Sequence, residues 1–96
     1  MINYKVEKLL AGETIISKEP GNSMLPLIKS RQPVEITPAK WEDVEIDDIV
    51  YVKVHGNIYT HLVKGKDSIK GVLIGNNKGG INGWSKQVYG RVTKIL

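Results

Sequence analysis

One short segment of the chain, residues 21–26, has the sequence Gly-Asn-Ser-Met-Leu-Pro. A glycine, a Ser-Met pair and a proline at this spacing hold the hydroxyl of Ser23 on a constrained turn. A hydroxyl in such a turn becomes a nucleophile when a neighbouring base removes its proton. Ser23 is therefore a candidate nucleophile. The alternative is a structural role, because a serine before an apolar stretch also caps a helical turn well.

A base for this serine has to come from one of two histidines, His55 and His61. His55 precedes Gly56 at a predicted hairpin tip, where an exposed ring has no fixed partner and is a poor general base. His61 lies in the middle of an apolar strand and is the candidate base. Considered alone, His61 also fits a half-buried core histidine, and only its pairing with Ser23 favours catalysis.

The elements that must position these residues are predicted to be mostly strands. Apolar spacing indicates one helix near the start, with Val6, Leu9 and Leu10 on one face and a stop at Gly12. Later segments are β-branched or alternating in polarity, which predicts strands at residues 14–17, 34–37, 49–54, 58–63, 68–74 and 87–95. The stretch between the last two strands, residues 75–84, is rich in glycine and asparagine and is predicted to be a loop.

The strand that carries His61 is predicted to form a hairpin with the strand before it. The connection is a two-residue Gly-Asn turn at residues 56–57, which fits a type II′ turn because glycine accepts a positive φ. In that register His61 faces Val52. The strand period of two places His61 on the same face as Tyr59 and Val63.

The predicted fold class is mostly β, a small coiled sheet or partly open β-barrel with a short N-terminal helix. The length of 96 residues predicts a single domain. Within it, residues 1–13 form the N-terminal helical segment and residues 14–96 form the β core. The chain has no cysteine, which excludes disulfides and thiolate zinc sites, and we expect neither a metal nor a cofactor.

The distribution of charge along the chain indicates which kinds of partner the protein could bind. The net charge is +4, from 14 Lys and Arg against 10 Asp and Glu, and the C-terminal third is basic. We interpret this basic surface as a solvated face, while nucleic-acid binding with Trp84 and Tyr89 as stacking groups is a weaker alternative. No stretch approaches the roughly 18 apolar residues of a membrane span. These features predict a soluble, cytoplasmic protein and are compatible with a phage or mobile-element product.

Several segments resemble, in chain order, the signal peptidase I superfamily, which includes the LexA-like self-cleaving repressor peptidases. Residues 21–26 match the nucleophile box, and residues 30–34 match the stretch after it. Residues 46–52 match the entry of a strand, residues 59–63 the strand with the general base, and residues 88–92 the closing strand. The resemblance runs from about residue 14 to the C-terminus. Two positions depart from it, because Arg31 and Asp47 stand where the superfamily has glycine.

The base position divides this superfamily. Bacterial leader peptidases and the repressors carry lysine there, whereas archaeal and endoplasmic-reticulum signal peptidases carry histidine. His61 therefore resembles the second branch, which implies a Ser-His peptidase with the main-chain N–H of Ser23 as an oxyanion donor. The resemblance also implies an extended peptide or protein substrate that lies along a sheet edge, with small side chains in shallow pockets.

The acidic positions of the histidine branch are replaced here. Its members usually have two acidic residues six positions apart, one of which orients and charges the imidazole. This chain has Asn76, followed by Asn77, and then Asn82. An amide oxygen accepts the imidazole N–H and fixes its tautomer but adds no negative charge. The resemblance thus implies Asn76 or Asn82 as the orienting residue of a weaker or more specialised enzyme, while turn geometry is the alternative for all three.

Two main hypotheses follow. The first is a soluble serine endopeptidase that uses Ser23 and His61, oriented by Asn76 or Asn82. The second is a catalytically weakened protein of the same fold that binds a peptide or protein, motivated by the paired amides. Self-cleavage at the Ala-Gly bond of residues 11–12 is disfavoured, because the span to Ser23 is short and partly strand.

Overall fold

The computed structural model describes residues 3–21 and 23–96. The first two residues of the predicted N-terminal segment, and Asn22 of the Gly-Asn-Ser-Met-Leu-Pro segment, lie outside the described residues. Within the described ranges, no helix has the length and apolar character needed to cross a membrane.

The described chain forms two short helical elements and seven strands. Helix α1 is Tyr4–Leu10, and a single 3₁₀ turn is Trp41–Asp43. The strands are β1 Ile15–Lys18, β2 Pro33–Pro38, β3 Ile49–Val54, β4 Asn57–Asp67, β5 Gly71–Gly75, β6 Ile81–Ser85 and β7 Gln87–Ile95.

All strands belong to one sheet with the order β1-β2-β7-β3-β4-β5-β6. Every neighbouring pair in that order is antiparallel. The sheet is not closed, because β1 and β6 lie at its two ends. The prediction of a mostly β, partly open fold with one short N-terminal helix is therefore confirmed.

The sheet buries apolar residues in two clusters. Alternate residues of the central strands enter different clusters: Tyr51 of β3 belongs to the first, and Val50 and Val52 belong to the second. In β4, Leu62 and Val63 are divided in the same way. Because β3 is buried on both faces, its sequence from Ile49 to Val52 is an apolar run instead of an alternating pattern.

Helix α1 packs on the first cluster as the sequence predicts, with one exception. Asn3 caps the helix through its side chain, which accepts a hydrogen bond from the Val6 N–H at 3.0 Å. Leu9 is 2 % exposed, but Leu10 is 72 % exposed, so the prediction that Leu10 shares the buried face is wrong. The helix ends at Leu10, before Gly12, whose φ of 89° is the left-handed conformation of a helix stop.

The hairpin of β3 and β4 has a different turn from the predicted one. Its turn residues are His55 and Gly56, with φ of 48° and 82°. Two successive positive φ values are characteristic of a type I′ turn, whose twist matches that of the two strands. His61 therefore faces Val50, so the predicted pairing with Val52 is wrong. The register differs by two residues, which leaves every side chain on its predicted face.

The predicted loop at residues 75–84 contains a strand. Residues 81–85 form β6, which pairs with β5 along its length, from Val72↔Ser85 to Gly75↔Ile81. Strand β5 itself starts at Gly71, later than the predicted residue 68. Asn and Gly have low strand propensity, so the local sequence favoured a loop, whereas pairing with β5 determines the structure.

Strand β6 also curls back toward the β3–β4 hairpin. The Ser85 hydroxyl donates a 2.6 Å hydrogen bond to the main-chain oxygen of Lys53. Gly83 lies so close to the hairpin tip that an added Cβ would be 2.8 Å from His55 Nε2. Because the sheet curls at this point, the side chain of Asn82, the residue before Gly83, reaches His61 of β4.

Candidate active site

The nucleophile candidate, Ser23, lies between β1 and β2, in residues 19–32, of which the structure describes 19–21 and 23–32. We call this part of the chain the nucleophile segment. Met24 and Ile28 of this segment are buried in the first core cluster. Between them the chain makes a single turn, in which the N–H groups of Leu27 and Ile28 both donate to the Met24 carbonyl, at 2.8 and 3.1 Å. The apolar side chains thus attach the segment to the core and fix the position of Ser23 above it.

Two hydrogen bonds hold the ends of the same segment together. The Arg31 N–H donates to the Glu19 carbonyl at 2.7 Å, and the Gly21 N–H donates to the Ser30 hydroxyl at 3.1 Å. Since both bonds span the segment, they restrict how far Ser23 can move relative to β1 and β2.

The hydroxyl of Ser23 meets the imidazole of His61. Ser23 Oγ is 3.0 Å from His61 Nε2, and His61 Nδ1 is 2.7 Å from Asn82 Oδ1. Because an amide oxygen only accepts, Nδ1 carries the proton, and the bare Nε2 accepts from the serine hydroxyl. This is the tautomer that a general base requires, and the predicted contact between Ser23 and His61 is present.

The surroundings of His61 keep its ring neutral and fixed. The residue is 8 % exposed, and its ring stacks on that of Tyr59 at a centroid distance of 4.9 Å. Burial lowers the pKa of His61 below its ordinary value of 6.5, and the hydrogen bond to Asn82 offsets part of this effect. Because the net shift is downward, the imidazole is neutral at pH 7 and able to accept a proton.

The structure separates the two candidate orienting residues. Asn82, on β6, contacts His61 directly. Asn76 does not orient the ring but organises a turn, because its Oδ1 accepts from the N–H groups of Lys78 and Gly80 at 2.8 and 2.9 Å. The Asn76 N–H also donates to the Gly80 carbonyl at 2.9 Å. Turn geometry thus accounts for Asn76, whereas Asn82 has the orienting contact.

Asn77 has a separate set of contacts, with the nucleophile segment. Its main-chain N–H donates to the Ser23 carbonyl at 2.9 Å, and its side-chain Nδ2 donates to the Leu25 carbonyl at 2.8 Å. Sequence reasoning assigned Asn77 only a turn role. The adjacent pair of asparagines after an apolar strand was the one feature that could have drawn attention to it.

The predicted oxyanion donor is the main-chain N–H of Ser23. This N–H belongs to the peptide unit shared with Asn22, which lies outside the described residues, so the assignment stays a prediction.

A groove of about 340 Å³ opens beside Ser23 and His61. Its lining includes the buried apolar side chains of Met24, Ile28 and Val34. The lining also includes the β4 residues next to His61 and the polar residues Glu19, Lys29 and Gln32, which sequence reasoning did not select. The groove is large enough for part of a peptide, and it combines apolar with polar lining residues.

Two polar residues of the groove lining, Glu19 and Thr60, differ in their hydrogen bonding. Lys5 Nζ lies 3.1 Å from a Glu19 carboxylate oxygen, and the buried Ser17 hydroxyl donates to the same oxygen at 3.0 Å. Thr60 Oγ1 is buried and has no hydrogen-bond partner among the described residues.

Other chemistry has little support in the described part of the chain. Residues 3–21 and 23–96 contain no group of three or more His, Cys, Asp or Glu side chains that could hold a metal ion.

The two aromatic residues proposed as stacking groups for nucleic acid lie apart. Trp84 lies at the β6 edge with Lys70 Nζ 5.4 Å from its ring centre, whereas Tyr89, on β7, packs against the first core cluster. The two proposed stacking groups therefore lie on strands that are not neighbours in the sheet.

Comparison with known proteins yields no protein family, no curated protein and no solved structure that matches this chain.

Proposed function

We propose that this protein is a serine endopeptidase in which Ser23 is the nucleophile and His61 is the general base. The observation that carries the proposal is the continuous chain of contacts from Ser23 Oγ through both ring nitrogens of His61 to Asn82 Oδ1. A nucleophile, a base within hydrogen-bond reach and a group that orients the base are the parts that acyl transfer requires.

The reaction follows from these positions. Ser23 Oγ attacks the carbonyl carbon of the scissile peptide bond while its proton passes to His61 Nε2. The imidazolium then donates that proton to the leaving nitrogen, which breaks the C–N bond and leaves an ester on Ser23. Water, deprotonated by the neutral His61, hydrolyses the ester and restores the hydroxyl. Asn82 keeps Nδ1 as the donor throughout, but its neutral amide stabilises the imidazolium less than a carboxylate does.

The substrate in this proposal is an extended peptide that adds to a free sheet edge. Strand β5 pairs with β4 only from Leu62 to Asp67. Residues 58–61 pair with β3 on one side, and these same residues line the groove beside Ser23. A peptide strand placed there gains main-chain hydrogen bonds and presents a carbonyl to the nucleophile.

Two backbone conformations support the resemblance to the signal peptidase I superfamily. Arg31 and Asp47 stand where that superfamily has glycine, and both have a positive φ, of 60° and 77°. Positive φ is the conformation for which glycine is the usual residue. A positive φ at both positions is the conformation expected where a glycine would usually stand, and it supports the proposal.

The proposal is tested by incubating the protein with a diverse library of unstructured peptides and identifying the products by mass spectrometry. We expect cleavage by the wild-type protein and by Ser68→Ala, which changes an exposed turn serine. Ser23→Ala and His61→Ala are expected to lower kcat by roughly 10³-fold or more. Folded variants that still cleave at the wild-type rate would refute the assignment. Peptide binding by the wild-type protein without any cleavage would favour the binding-module hypothesis instead.

A further inference from the structure

We propose that Asn77 is a positioning residue for the nucleophile, and that the connection from β5 into β6 holds both partners of the proton transfer. This inference rests on the proposed peptidase function. We define this connection as residues 76–82, which begin with the two asparagines that follow β5 and end at Asn82, the second residue of β6.

The contacts of Asn77 fix the nucleophile segment on both sides of Met24. The main-chain N–H of Asn77 binds the carbonyl of Ser23, and the side-chain amide binds the carbonyl of Leu25. Because the two carbonyls are two residues apart and are held by one residue, both the position and the direction of the intervening backbone are fixed.

Asn77 lies in a turn that is closed by several hydrogen bonds. The Asn76 side chain accepts from two main-chain N–H groups of this turn, and its own N–H donates to the Gly80 carbonyl. At the far end of the same connection, Asn82 accepts from His61 Nδ1. One short piece of chain thus contacts the nucleophile's backbone at one end and the base at the other.

This arrangement sets the distance over which the proton moves. The hydroxyl and the imidazole are 3.0 Å apart, within the range that proton transfer needs. A displacement of about 1 Å costs roughly 10²-fold in rate. Loss of the Asn77 side-chain bond frees the nucleophile backbone on one side and is expected to reduce the reactivity of Ser23 without changing His61.

The hydrogen-bonding roles of the two asparagines are opposite. The Asn77 side chain has to donate to a carbonyl, which an ionised aspartate cannot do because its oxygens only accept. The Asn82 side chain has only to accept, which an aspartate does while adding a charge that stabilises imidazolium. The same Asn→Asp substitution should therefore have opposite effects at two positions of one connection.

The experiment measures the rate at which a fluorophosphonate modifies Ser23, with peptide kcat and KM as a second readout. We expect Asn77→Asp and Asn77→Ala to slow modification by roughly 10- to 10²-fold and to lower kcat with little change in KM. Asn82→Asp is expected to raise the His61 pKa, followed by NMR, and to increase the rate. Asn57→Asp, at an exposed position outside the groove, serves as the control for added charge.

A third measurement separates failure of this inference from failure of the proposed function. Amide hydrogen exchange at Leu27 and Ile28 reports the order of the nucleophile segment without requiring any activity. We expect Asn77→Ala to accelerate that exchange by about 10-fold, while the His61 pKa stays at its wild-type value. Unchanged exchange, or wild-type reactivity of both Asn77 variants, would overturn the positioning role. If the wild-type protein does not react with the fluorophosphonate, but Asn77→Ala still exchanges faster than wild type, the peptidase function alone is overturned.

Discussion

His61 is subject to two opposing influences, and their balance determines its chemistry. Burial disfavours the charged ring, whereas the Asn82 oxygen favours it by accepting the Nδ1 proton. Burial is the larger influence, so the ring is neutral at pH 7 and basic at Nε2. An aspartate at position 82 would shift this balance toward the imidazolium. With the neutral amide of Asn82, His61 is therefore a weaker base, with a lower pKa than it would have beside an aspartate.

The pH dependence of activity tests this balance directly. The proposed peptidase activity requires neutral His61, so kcat/KM should rise with pH as the ring loses its proton. Because the pKa of His61 lies below 6.5, the midpoint of the rise is expected below pH 6.5, with a plateau at neutral pH. The measurement is kcat/KM of peptide cleavage between pH 4 and pH 8. A midpoint clearly above 6.5 would contradict the burial of a neutral ring.

Removal of the orienting amide has a separate expected effect. Asn82→Ala leaves Nδ1 without its acceptor, so the ring can adopt the tautomer in which Nε2 carries the proton. By analogy with loss of the tautomer-fixing group in serine peptidases, kcat should fall by roughly 10²- to 10⁴-fold. Thermal unfolding serves as the control, since the fold should persist. Unimpaired catalysis in this variant would show that Asn82 does not orient the base.

At this scale, the residue types together with the resemblance to the signal peptidase I superfamily led to the predicted contact of Ser23 with His61 and to Asn76 or Asn82 as the orienting residue. They could not separate Asn76 from Asn82, since both fit the same spacing. The role of Asn77 also escaped prediction. Its partners are main-chain carbonyls more than 50 positions away, and no side-chain pattern indicates such a bond.

Among the elements, β6 has the largest effect on the site because it carries Asn82 across to β4. It approaches the hairpin tip at Gly83, where φ is 136° and an added Cβ would contact His55. Its C-terminal end is attached to β3 by the buried Ser85 hydroxyl, which donates to the Lys53 carbonyl and accepts from the Gln87 N–H at 2.9 Å.

Substitution of Gly83 by alanine should therefore disturb both stability and catalysis. The variant combines a positive φ with a steric contact, and the expected loss in free energy of unfolding is about 2–4 kcal/mol. Gly12→Ala is the matched control, because Gly12 also has a positive φ but has open space around it. Urea unfolding and kcat measure the two effects. Equal losses in the two variants, with full activity retained, would refute the close approach of β6.

The elements that the sequence predicted well have a strong local pattern. The apolar run of β3 and the helix with its stop at Gly12 are examples. The hairpin turn was misplaced by one residue because a His-Gly pair can form the turn as well as a Gly-Asn pair, and only the φ values of the structure separate them. β6 was missed because its Asn and Gly residues disfavour a strand locally, and its pairing with β5 is a tertiary effect.

For the whole molecule, the curled sheet is what brings Ser23, His61 and Asn82 together from three separate parts of the chain. The first core cluster contains Met24 and Ile28 of the nucleophile segment, and the second contains Val63 of the base strand. Stability of the two clusters is thus a condition for the site. The fold class was predictable because strand patterns recur along the chain, but the degree of curl was not, since it depends on non-local contacts such as that of Ser85 with Lys53.

The importance of the second cluster can be measured with one matched pair of substitutions. Ile74 is 0 % exposed and Ile69 is 80 % exposed. Ile74→Ala should lower the free energy of unfolding by about 2–5 kcal/mol, because it leaves a cavity in the core. Ile69→Ala should change it by less than about 0.5 kcal/mol. Urea titration of both proteins provides the comparison, and similar midpoints would contradict the described burial.

The central claim is that His61 activates Ser23, and the rate of covalent modification tests it most directly. The protein is treated with a fluorophosphonate at a series of pH values, and the modified residue and its rate of formation are determined by mass spectrometry. We predict a single adduct on Ser23, formed at a rate that rises with a midpoint below pH 6.5 and that is lost in His61→Ala. Absence of an adduct on Ser23, or an adduct formed equally fast without the histidine, would contradict the claim.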